Sequence, residues 1–79
     1  MIASDELAQR FAYHPPRDAD TVTAHERVRE WTGQLAAGLN AVLPDGREKS
    51  LAITSLEETM MWANAAISRN GGPARVPLP

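Results

Sequence analysis

The chain has 79 residues, 43% of them apolar, a formal net charge of −2 and no cysteine. That length allows one small domain, marginal as a monomer, and without cysteine neither disulfides nor thiolate metal sites can add stability, which leaves oligomerisation as the common solution. A pI near 5.5 argues against a partner of long nucleic acid, which favours strongly basic domains, but not against a small anion held by a few local arginines.

The opening MIASDELAQR lacks the basic and apolar regions of a signal peptide, and no apolar run approaches the roughly 20 residues of a membrane span. A soluble intracellular protein is expected. Ser4 to Ala12 predicts a short helix, with Ser4 or Asp5 as N-cap and Leu7 and Phe11 one turn apart. Such a helix cannot stand alone. Tyr13-His14-Pro15-Pro16 stops it, because a proline disfavours the α conformation in the residue before it. Residues Tyr13 to Asp20 are therefore expected to run extended over the rest of the molecule.

Thr23 and Glu26 form a T-x-x-E capping box, with Asp20 as a competing cap. From there Ala24, Val28, Trp31, Leu35, Gly38 and Val42 step by four and three residues, a heptad-like seam whose expected partner is the opening helix. Pro44 ends this second helix near Val42. Gly33 and Gly38 each weaken it by about 1 kcal/mol relative to alanine, and close approach of another helix would explain Gly38. Asp45 and Glu48 form a second capping box after the Pro44-Asp45-Gly46 turn.

The third helix, Arg47 to Asn70, is the most regular part of the chain. Ala52, Leu56, Ala63 and Ile67, with Met60 and Ile53 beside them, define a core face. Ser50, Thr54, Glu57, Met61, Asn64 and Ser68 fall within roughly 40° of one line and make a polar stripe. The stripe is either a wet face or a set of contacts between subunits. Leu51, Trp62 and Ala65 form a third, smaller apolar patch. Asn70-Gly71-Gly72-Pro73 stops the helix. The reading is all-α: a short N-terminal helix and a long antiparallel helical hairpin, roughly 30 Å long. Residues 1–70 make the domain and 71–79 a flexible Gly/Pro-rich tail.

No hydrolase, phosphate-loop or dinucleotide-fold motif is present. His14 and His25 have no carboxylate at ligand spacing, so no metal site is expected. Glu57 and Glu58 diverge around the helix and make no catalytic pair, and no enzyme or cofactor is expected. The Tyr13-His14-Pro15-Pro16 loop has two readings. Tyr13 packs its ring on the hairpin, or the loop is a rigid platform on which a purine stacks. Arg27, Arg29, Arg47 and Lys49 are ordinary surface charges or anion ligands. Arg47 and Lys49 gain interest from their place in the first turn of the third helix, where free backbone N–H groups favour an anion.

The segments FxYHPP (Phe11 to Pro16), REKSLAxTxLEE (Arg47 to Glu58) and MWANAAIxR (Met61 to Arg69) resemble a family of small phage proteins that sequester cyclic nucleotide signals. These are the anti-CBASS cyclic-dinucleotide sponges and the related anti-Thoeris sponges for cyclic ADP-ribose isomers. The resemblance covers most of Phe11 to Asn70. It implies a homo-oligomer that assembles through the hairpins, typically a hexamer, acting in the cytoplasm of the infected bacterium. There it binds cyclic dinucleotides such as 3′,3′-cGAMP in pockets between subunits, without cleaving them. Some members also hold cyclic trinucleotides or cyclic ADP-ribose isomers at separate positions.

Carried over residue by residue, Tyr13 with His14 and Pro15 matches the base-stacking motif, and either Arg27 or Arg29 fills the basic position that meets phosphate. Arg47, Thr54 and Asn64, with Lys49 beside them, match the third-helix motif and are candidates for the same or a second site. Asp18 and Asp20 place negative charge near the loop, which weakens anion binding. The alternative is a helical protein-interaction module that docks on a host protein through the seam and Trp62.

Overall fold

The computed structural model describes residues 1–74. Three helices follow one another: α1 (Ser4–Phe11), α2 (Ala19–Val42) and α3 (Arg47–Arg69). Helices α2 and α3 pack antiparallel, and α1 touches them only lightly. The molecule is flat, with extents of 44 × 37 × 18 Å and a radius of gyration of 15.6 Å. A compact chain of this length has a radius nearer about 12 Å.

Helix α2 starts four residues before Thr23. Asp18 is extended and its Oδ1 accepts from the Thr21 backbone N–H (2.9 Å) and the Thr21 hydroxyl (2.8 Å). Two donors on one carboxylate oxygen make a tighter cap than Thr23 or Asp20 could. This cap leaves Thr21 3% exposed, the one fully buried residue among those described. The extended stretch consequently ends at Asp18. Helix α1, by contrast, has no side-chain cap, its N-cap being Ala3 rather than Ser4 or Asp5.

The far turn also departs from the expected capping box. Gly46 is the N-cap of α3, with φ 155° and no side-chain cap. Asp45 turns instead to Lys49 Nζ (3.1 Å), which also donates to the Asn40 carbonyl (2.8 Å). At the other end of α3 the stop is as expected. The Gly72 N–H donates to the Ile67 carbonyl at 2.9 Å, with Gly71 at φ 81°, the Schellman arrangement that favours glycine there. Gly71, Gly72 and Pro73 fold back half-buried. The expectation for the tail beyond residue 74 lies outside the described residues.

All six residues assigned to the core face of α3, namely Ala52, Ile53, Leu56, Met60, Ala63 and Ile67, are half-buried. On α2 the half-buried residues are Ala24, His25, Val28, Thr32, Ala36 and Leu39, with the C-cap Leu43 continuing the line. From Trp31 onward this face is displaced by one residue, about 100°, from the heptad-like seam. The seam therefore does not pack on α1. Trp31, Leu35 and Val42 are exposed, as are Leu7 and Phe11 of α1. Nothing lies within 4 Å of a Cβ built on Gly38, so no element of the same chain explains that glycine. Among the described residues no apolar side chain is fully buried.

Candidate functional site

The start of α2, the end of α3 and the FxYHPP segment come together at one end of the hairpin. His25 of α2 is fixed there by α3 through both ring nitrogens. Its Nδ1–H donates to Asn64 Oδ1 at 2.8 Å, and its Nε2 shares a hydrogen bond of 3.5 Å with the Ser68 hydroxyl. Because the Asn64 carbonyl can only accept, Nδ1 carries a proton in this contact. The imidazole thus has a set orientation and no donor left for a ligand.

Beside it lies a concavity of about 320 Å³ lined by Pro16, Val22, His25, Glu26, Arg29 and Ser68. Its size falls at the small end of ligand pockets. Proline and valine supply apolar walls, and the imidazole a third. The Arg29 guanidinium makes no hydrogen bond or ion pair among the described residues, and neither does the Glu26 carboxylate. Arg29 also lines a second concavity of about 300 Å³, between the helices, with Ile53, Glu57 and Met60. Arg27 lies elsewhere, on an apolar concavity of about 170 Å³ with Trp31, Ile67 and Pro73. The two arginines left open by the sequence therefore occupy different sides of α2, and Arg29 is the one that shares a surface with Pro16 and His25.

The remaining candidates are dispersed. Tyr13 is 85% exposed, so its ring does not pack on the hairpin. His14 is half-buried and donates from Nε2 to the Gln9 carbonyl at 3.2 Å, tying the loop to α1, while Pro15 is exposed. Asn64 is committed to His25. Arg47 and Thr54 are exposed on α3. The Lys49 ammonium is occupied by the turn, its side chain only 15% exposed. Arg47 and Lys49 lie more than about 20 Å along α3 from Asn64 at 1.5 Å per residue. One chain therefore cannot bring both ends of α3 into a single pocket.

The sequence did not single out His25, Glu26 or Ser68 as site residues. In the sequence Glu26 reads as part of the Thr23 capping box, His25 as a histidine without metal-ligand partners and Ser68 as part of the polar stripe. The only signal was that the stripe ends in two side chains, Asn64 and Ser68, spaced to grip one ring from successive turns.

Among the described residues no group of three or more His, Cys, Asp or Glu side chains gathers as a metal site, and no helix is long and apolar enough to cross a membrane. No curated protein and no solved structure matches the chain. The family model described as the Acb2/Tad1 hairpin domain matches residues 4–68. That span takes in all of α1 and α2 and nearly all of α3, including every residue of the His25 cluster. The chain belongs to the Acb2/Tad1 hairpin-domain family, the anti-CBASS and anti-Thoeris sponge family that its FxYHPP and third-helix motifs resemble.

Proposed function

We propose that this protein is a phage-encoded sponge that binds a cyclic di- or oligonucleotide messenger in the infected host cytoplasm and holds it intact. Host anti-phage signalling is thereby starved of its activator. The observation that carries this reading is the family match over residues 4–68. The geometry is consistent with it. An unpaired guanidinium at Arg29 stands beside proline and imidazole walls, with the exposed Tyr13 ring on the same loop as Pro16. A cyclic dinucleotide has two phosphates and two base faces, and needs local cations and flat walls rather than overall positive charge.

Assembly belongs to the same proposal. Trp31, Leu35, Leu51, Met61 and Trp62 are each between 46% and 69% exposed, more large apolar surface than a small monomer leaves in water. A second copy of this chain would cover it, as would a homohexamer. Assembly would also let Tyr13 or Arg47 of one chain complete the pocket of another.

Calorimetry on the full chain with a panel of cyclic di- and trinucleotides and cyclic ADP-ribose isomers tests the reading. Saturable binding is expected, with ligand recovered unaltered after heat denaturation of the protein. Absence of heat across the panel would refute the proposal, and cleaved product would replace it with an enzymatic one. Tyr13→Ala is expected to weaken binding by about five- to 150-fold, from a stacking contribution of roughly 1–3 kcal/mol, with assembly unchanged. Undiminished affinity would remove Tyr13 from the site.

A further inference from the structure

The concavity at the start of α2 carries charge of both signs. Glu26 and Arg29 are three residues apart on one helical face and line the same surface, yet neither forms an ion pair or hydrogen bond among the described residues. His25 pairs with neither, its two ring nitrogens being turned to Asn64 and Ser68. The groups left to meet a ligand are therefore a donor-only guanidinium and an acceptor-only carboxylate.

For a ligand bound only through phosphate, Arg29 is useful and Glu26 is repulsive. A carboxylate in such a pocket is favourable only if the ligand also presents donors to it. Among the nucleobases guanine presents two adjacent donors, N1–H and N2–H₂, on its Watson–Crick edge. Adenine offers the N6 amino group beside the N1 lone pair, which a carboxylate oxygen repels. Cytosine has the same defect at N3, and uracil flanks its single N–H with carbonyls. The two carboxylate oxygens match the guanine edge and no other.

Resting on the sponge reading above, we infer that Glu26 is the specificity-determining residue of this site. It selects guanine-bearing cyclic nucleotides by accepting N1–H and N2–H₂ while Arg29 holds a phosphate. A bidentate pair of this kind discriminates by about tenfold or more at an open site.

The test is calorimetry on the full chain with cyclic di-GMP and cyclic di-AMP as probes, comparing the native protein with Glu26→Gln and Glu26→Ala. Circular dichroism and sedimentation serve as controls for fold and assembly. The native chain is expected to bind the guanine probe at least tenfold more tightly. Both substitutions should erase that preference, with the loss falling on the guanine probe. Equal binding of the two probes by the native chain would overturn the inference and leave the sponge reading standing. So would a guanine preference that survives both substitutions. Binding of neither probe, nor of any other member of the wider panel, would overturn the sponge reading itself and this inference with it.

Discussion

His25 shows how much one side chain can organise in a molecule with so little buried apolar surface. It joins α2 to α3 through a 2.8 Å bond to Asn64, and Lys49 does the same at the far end through a 2.8 Å bond to the Asn40 carbonyl. The two ties share one antiparallel register: the advance along α2 from His25 to Asn40 equals the retreat along α3 from Asn64 to Lys49. Asn64→Ala leaves the His25 N–H half-buried without its acceptor and should lower the unfolding free energy by about 1–2 kcal/mol. Urea denaturation measures this, and a midpoint that does not move would show that the bond contributes nothing. Lys49→Met removes both turn contacts and should cost about 1 kcal/mol, most of it from the bond to the Asn40 carbonyl because the Asp45 partner is fully solvated. Ligand affinity should be untouched. Weaker binding by the Met variant would return Lys49 to the ligand site.

At the scale of the elements, each helix end is decided by a local competition between partners. Asp18 displaces Thr23 as the cap of α2 because Thr21 offers it both an amide and a hydroxyl. Asp45 reaches Lys49 instead of the first amides of α3 and leaves the N-cap position to Gly46. Gly71, at φ 81° with the Arg17 guanidinium against it, is a different case. Alanine there would be strained and should destabilise by about 1–2 kcal/mol, readable as a lower thermal midpoint. Gly38→Ala should do the opposite. Nothing of its own chain is near, so helix propensity alone should raise stability by about 1 kcal/mol. A loss of stability or of assembly in that variant would mean that a second chain seats against Gly38.

At the scale of the whole molecule, the hairpin is half a structure in energetic terms. Its helices meet along one face, while Trp31, Leu35, Leu51 and Trp62 stay in contact with solvent. At about 25 cal/mol per Å² of apolar area, covering them in an assembly is worth several kcal/mol. Sedimentation of the native chain should give a particle of several protomers. Trp62→Glu, at a side chain 69% exposed, should shift it toward smaller species while each hairpin keeps its helicity. An unchanged sedimentation profile would place Trp62 outside the interface, and a native monomer would remove the assembly proposal.

The half-buried face of α3, from Ala52 to Ile67, was readable from the residues because periodicity states which side chains share one side of a helix. The helix ends at Val42 and Arg69 were readable because Pro44 disfavours the α conformation before it and the Gly71-Gly72-Pro73 run favours a left-handed stop. The seam on α2 was misplaced for a physical reason. Trp31 and Leu35 extend the apolar stripe beyond the width that α3 can cover, and periodicity does not say which part of a wide stripe a neighbour takes. Of the candidate site, the residue types and the FxYHPP motif were legible, whereas the grouping was not. Arg27 and Arg29 look alike in the sequence, and two residues on a helix turn a side chain by about 200°. The amino-acid sequence by itself determined three helices, their stops and the family. Only the tertiary structure decided that His25 stands level with Asn64, that Arg29 faces Pro16 and that Lys49 belongs to the turn, because the register and rotation of two packed helices depend on contacts between residues far apart in the chain.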